Sequence, residues 1–154
     1  MGMLAQLRER AGGVRARLGR DLHATYLEER RVARRLRRHG DKVPYPALAA
    51  ELARLAEQAD GRAARLADEL RAVAGNTDPS DVVPLPDGRN HWERLTGDLA
   101  AVESLHRRYT ELALQWDLDF PTTTATLQDL AQAMAATATA LRTMVARADP
   151  HAMD

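Results

Sequence analysis

PALAAELARLAEQADGRAARLADELRAVAG, residues 46–75, is the stretch on which the fold turns. Leu48, Leu52, Leu55, Ala59, Ala63, Leu66, Leu70 and Val73 recur at alternating spacings of three and four. That rhythm lines one face of an α-helix with apolar side chains. Pro46 suits the first helical turn and Gly75 a C-terminal cap. A helix striped in this way must lay its apolar face against other elements.

The same rhythm appears on both sides. Downstream, Asn90-His91-Trp92-Glu93 reads as an N-cap with a Glu three residues later. It opens a third helix striped by Trp92, Leu95, Leu99, Val102, His106, Tyr109, Ala113 and Trp116. Asp117 to Pro121 breaks that helix, and a fourth begins near Thr122 or Thr123, striped by Leu127, Leu130, Met134, Thr137, Leu141 and Met144. Upstream, a first helix carries Leu22, Thr25, Glu29, Val32 and Leu36 and is expected to cap at Gly40. Before it, Leu4, Leu7, Ala11, Val14 and Leu18 keep a similar beat, with Gly12-Gly13 as an interruption. The division expected is an N-terminal amphipathic segment over 1–18, separate or bent, a four-helix bundle over 19–148, and a tail over 149–154.

The connections set the topology. Residues 40–45 and 117–121 are short, so helices 1 and 2 form one antiparallel hairpin and helices 3 and 4 another. Residues 75–90 are longer and contain Pro79, Pro84, Pro86 and Gly88. Sixteen residues can extend about 50 Å, enough to run the length of a bundle. Short, long, short is the pattern of an all-α four-helix bundle with ferritin-like connectivity and one long crossover. The alternative is an up-down-up-down bundle with a loose third loop.

Composition agrees. The chain has 154 residues, 45% of them apolar, with two Trp, three Tyr, one Phe and no Ile. So few aromatic and β-branched residues disfavour a sheet. There is no cysteine, which excludes disulfides, thiolate metal sites and a cysteine nucleophile. No run approaches the ~18 apolar residues of a membrane span, and Met1 to Arg20 does not read as a secretory signal. A cytoplasmic location is the expectation. No phosphate-cradling glycine loop or nucleophile elbow is present. Enzymatic function is therefore the less favoured class.

Polar residues on apolar stripes are informative, because burying them costs energy unless they are paired. Glu29 and His106 are the two cases, with Thr25 and Thr137 as milder ones. Each lies about eleven residues from its hairpin turn, so both are expected inside the bundle at a similar height, each with a polar partner. Glu103 shares a helix face with His106. The favoured reading is a hydrogen-bonded pair, or Glu29 bridged to Arg62, with no cofactor. The alternative is a single divalent metal or iron on Glu29, Glu103 and His106, with Glu57 as a further candidate. His23, His39, His91 and His151 read as exposed or terminal.

The arrangement resembles the ferritin-like superfamily, including rubrerythrin-like proteins, over roughly residues 18–148. Glu29 in Tyr26-Leu27-Glu28-Glu29 is similar to that family's helix-1 metal ligand. Helix 2, Leu55 to Leu66, resembles the family's second helix in rhythm, but Ala59 and Arg62 stand where Glu and His are expected. Met134 and Thr137 fall at the corresponding positions of helix 4, and Glu103-x-x-His106 lies on helix 3. The resemblance implies a bundle whose di-metal centre is largely erased.

Charge and surface bear on partners. Residues 1–38 carry eleven Arg and four acids, and the remainder eleven Lys or Arg and eighteen acids, in a chain of zero net charge. The Arg cluster Arg30, Arg31, Arg34, Arg35, Arg37 and Arg38 lacks interleaved aromatics for base stacking. It reads as salt-bridged to acids of this chain or a copy, and a basic arm for nucleic acid is the less favoured reading. From Leu130 to Leu141 helix 4 has no charged residue on any face, whereas a bundle helix normally keeps one face charged. The favoured expectation is a homodimer through helix 4, with a protein partner as a variant. The rival cover is the N-terminal segment of the same chain.

Overall fold

The computed structural model describes residues 2–75 and 86–148, which form four α-helices. They are α1 (Gly2–Lys42), α2 (Pro46–Ala74), α3 (His91–Trp116) and α4 (Pro121–Arg147). No described helix is long and apolar enough to cross a membrane. The tail over 149–154, with His151, and residues 76–85 of the long connection, with Pro79 and Pro84, lie outside the described residues.

The helix ends follow local chemistry. Pro46 and Pro121 occupy first turns, where a missing N–H costs nothing. Asn90 caps α3, its side chain accepting from the Glu93 amide at 2.8 Å. Gly75 closes α2 in the left-handed region at φ 78°. Gly40 does not cap α1, which runs on to Lys42. The stop comes from Pro44, which disfavours helical backbone at Val43, while His39 and Lys42 place basic groups at the negative end of the helix dipole.

The greatest departure from expectation is at the start of the chain. α1 is one unbroken helix of 41 residues, with Gly12 and Gly13 inside it. Each glycine costs about 1 kcal/mol against Ala, but strong helix formers surround the pair. Residues 2–13 are wholly exposed, and the first core residue is Leu18. Val14 is already partly buried against the core, so the twelve residues 2–13 extend α1 about 18 Å beyond the bundle. The N-terminal segment does not cover helix 4 of its own chain.

The bundle is a square in which α1 packs on α2 and α3, and α4 on α3 and α2. Cross-links set the directions. Asp21 accepts from Trp116 Nε1 at 3.1 Å, Glu29 meets Tyr109 and His39 meets His91, so α1 and α3 are antiparallel. Gly19 lies against Ala74, so α2 ends where α3 also ends. α2 and α3 therefore run parallel, and the connection between them must cross the bundle from end to end. Gly19 and His39 mark its two ends on α1, about 30 Å apart. Leu18, Leu22, Leu36, Leu52, Leu66, Leu95, Val102, Leu112, Leu127, Leu130 and Leu141 fill the core without exposure.

Gly61 sits inside α2 with open space where a Cβ would be. Gly61→Ala should stabilise the protein by about 1 kcal/mol, the helix-propensity difference. A urea midpoint no higher than that of the parent chain would contradict this.

Candidate functional site

Halfway along the bundle, each helix contributes one polar side chain to a single cluster. Glu29 of α1 is fully buried and accepts from Arg62 Nε of α2 at 2.8 Å and from the Tyr109 hydroxyl of α3 at 2.9 Å. Arg62 Nη1 donates to Thr137 Oγ1 of α4 at 3.2 Å. Glu29 Oε2 and Arg62 Nη2 are buried with no hydrogen-bond partner. Burial pushes the Glu29 carboxyl above the usual carboxylate range, against the pull of Arg62 and of the Tyr109 hydrogen bond. The Tyr109 hydroxyl is also pushed up, by burial first and the neighbouring carboxylate second. A buried cluster of this kind, with one side chain from each helix, fixes the register of four helices.

The residues proposed as metal ligands do not meet. Glu29 is in the cluster, but Glu103 lies on the surface with Arg142, at 3.0 Å. His106 is half-buried and stands outside the core seam. The seam of α3 runs Leu95, Asp98, Val102, Leu105, Tyr109, Leu112 and Trp116. The apolar Leu105 takes the inward position beside His106, which spares the cost of burying an imidazole. Tyr109 is the α3 residue that reaches Glu29. Glu57 is exposed. Among the described residues, no three His, Asp or Glu side chains stand close enough to share a metal ion.

A second cluster overturns the reading of His39 and His91 as exposed. His39 is 2% exposed and Asp98 1%. Asp98 accepts from Arg35 Nε at 2.6 Å and pairs with His39 Nδ1 at 2.5 Å. His39 Nε2 faces His91 Nδ1 at 2.9 Å. Arg35 also donates to the Pro86 carbonyl at 2.9 Å. Beside them, Asp87 hydrogen-bonds Lys42 and lies 3.7 Å from both Arg38 and Arg94. The Lys42 ammonium, with these guanidinium groups behind it, holds the Asp87 carboxyl below its ordinary range. Together these contacts fasten the end of the crossover and the start of α3 to the end of α1. Gly97 makes room for them, since a Cβ there would meet Arg35 Nη2 at 1.9 Å. The signal was present in the sequence, because Leu95, Asp98, Val102 and Leu105 keep the three-four beat with Asp98 on the stripe.

Two surfaces remain. Arg31, Arg35, Arg37 and Arg38 of the α1 cluster pair with Glu28, Asp98, Asp60 and Asp87. The extension of α1 exposes Met3, Leu4 and Leu7. On the opposite side of the molecule, Gln132, Ala133, Ala135, Ala136 and Thr139 of α4 are exposed. A cleft of about 320 Å³ between α3 and α4 is lined by Thr110, Ala113, Leu114, Gln128, Ala131 and Gln132. Leu114 is 79% exposed. Compared with known proteins, the chain matches no protein-family model and no curated protein at a significant level.

Proposed function

We propose that this chain is a non-enzymatic helical-bundle protein of ferritin-like connectivity that acts by self-association, as a homodimer through α4. The observation that carries the reading is the outer face of α4, uncharged from Leu130 to Leu141 and left bare by the rest of its own chain. Ala and Thr side chains on that face let a second helix approach closely. The ferritin-like part is supported by the parallel α2 and α3 and the long crossover between them. Arg62 supports the absence of a metal from the reading. Its guanidinium lies 2.8 Å from Glu29 and supplies the positive charge that a metal would bring.

Light scattering on the purified full chain tests the reading. The expected mass is twice that of the chain, and Ala136→Glu, which places a charge on the exposed face, should return it to the monomer with helical content unchanged. A monomeric parent chain would refute the proposal.

A further inference from the structure

We infer that the α1 extension of one copy seats in the α3–α4 cleft of a second copy, reciprocally, so that each chain covers its partner with the segment that its own bundle leaves bare. The inference deepens the self-association reading and rests on it.

The first argument is the extension itself. Leu4, Leu7, Ala11 and Val14 continue the seam that from Leu18 onward faces the core. An isolated helix of twelve residues is marginal in water. Val14 packs on the core of its own chain, but Leu4, Leu7 and Ala11 find no surface there.

The second argument is charge. Residues 2–17 contain Arg8, Arg10, Arg15 and Arg17 against the single acid Glu9. Two extensions would therefore repel one another if paired. Residues 110–136, which carry the cleft, contain Glu111, Asp117, Asp119 and Asp129 and no Lys or Arg. All four acids are exposed, with Asp129 also 3.5 Å from Arg65. The cleft, with Ala113 and Ala131 inside it and the exposed Leu114 on its edge, suits a Leu stripe, and Glu111, Asp117 and Asp119 of the same segment suit the arginines. Complementary charge of this kind sets partner choice and register.

The third argument is length. Trp116 and Pro121 mark the end of the bundle from which α1 emerges. The cleft reaches Gln132, eleven residues into α4, about 17 Å from that end. The extension, residues 2–13, is about 18 Å long. Two bundles meeting at these ends, with their α1 helices antiparallel, bring each extension alongside the other's cleft.

Because the chain lacks cysteine, the test is direct. Leu7 stands about 24 Å along the axis from Leu114 of the same chain, so a disulfide between the two positions forms only between copies. Leu7→Cys and Leu114→Cys variants, unfolded together, refolded and oxidised, should cross-link as a mixed dimer in preference to either variant alone. Arg8→Glu with Arg15→Glu should weaken the dimer at least tenfold, and Glu111→Arg with Asp117→Arg in the same chain should restore it. A dimer that shows no mixed cross-link overturns the inference and leaves self-association standing, whereas a monomeric parent chain overturns both. Cross-linking of Leu7→Cys to itself would indicate pairing of extensions and count against the cleft. Binding of a monomer to vesicles rich in anionic lipid would assign the extension to a membrane surface and likewise refute the inference.

Discussion

Arg62→Met should destabilise the protein by about 3–5 kcal/mol, the cost of leaving a buried charge without its partner. Glu29 has no solvent exposure and accepts from only two donors, so nothing replaces the guanidinium. The loss should depend on pH. Burial already raises the Glu29 carboxyl above its ordinary range, and removing Arg62 raises it further. A carboxyl whose folded value is raised contributes stability below its unfolded value and loses it as pH rises through the folded value. The gap between variant and parent should therefore widen as pH rises above the ordinary carboxylate range in urea unfolding. The triple variant Glu29→Leu, Arg62→Leu, Tyr109→Phe removes every partner together and should be close to neutral or stabilising, as apolar replacements of buried pairs often are. A triple variant as unstable as Arg62→Met would show that the cluster contributes more than mutual neutralisation.

Asp98→Ala should cost about 3 kcal/mol, since it strips the carboxylate acceptor from the Arg35 guanidinium and from His39 Nδ1 at a site 1% exposed. Amide exchange should quicken locally, in the last turn of α1 and the first two turns of α3, where Asp98 fastens them. Gly97→Ala should reproduce part of the loss with the carboxylate intact, because the new methyl group occupies the position of Arg35 Nη2. Asp98→Asn, which keeps an acceptor oxygen and removes the charge, should fall between Asp98→Ala and the parent chain. Asp98→Ala within about 0.5 kcal/mol of the parent, the usual range for a surface substitution, would show that the second cluster does not hold the crossover.

Where a signal is local, sequence and structure agree. Pro46, Gly75 and Asn90 mark helix ends through backbone chemistry of their own. The stripe of α2 lies inward as its spacing implies, and Glu29, the polar residue on the stripe of α1, is bridged to Arg62. The cases that differ are choices between neighbours. Leu105 and His106 both fit the period of α3, and a rotation of the helix by one residue, about 100°, decides which is buried. That rotation is set by the packing of α1 and α4 against α3, which periodicity within α3 does not contain. His39 likewise lies near a helix end, and the partners that bury it, Asp98 and His91, lie 59 and 52 residues away.

The sequence by itself determined that the chain is all-α, that four amphipathic helices share one core, and that one of the three connections is long. These properties follow from spacing, capping chemistry and chain length, which need no knowledge of distant contacts. Only the tertiary structure decided that α2 and α3 run parallel, that Tyr109 and Arg62 rather than His106 and Glu103 reach Glu29, and that α1 continues through Gly12 and Gly13 to leave twelve residues beyond the bundle. The reason is physical. Burial of a polar group, and the exposure of an apolar one, depend on which helices come together around it, and that is a property of the packed assembly of helices rather than of any single stripe.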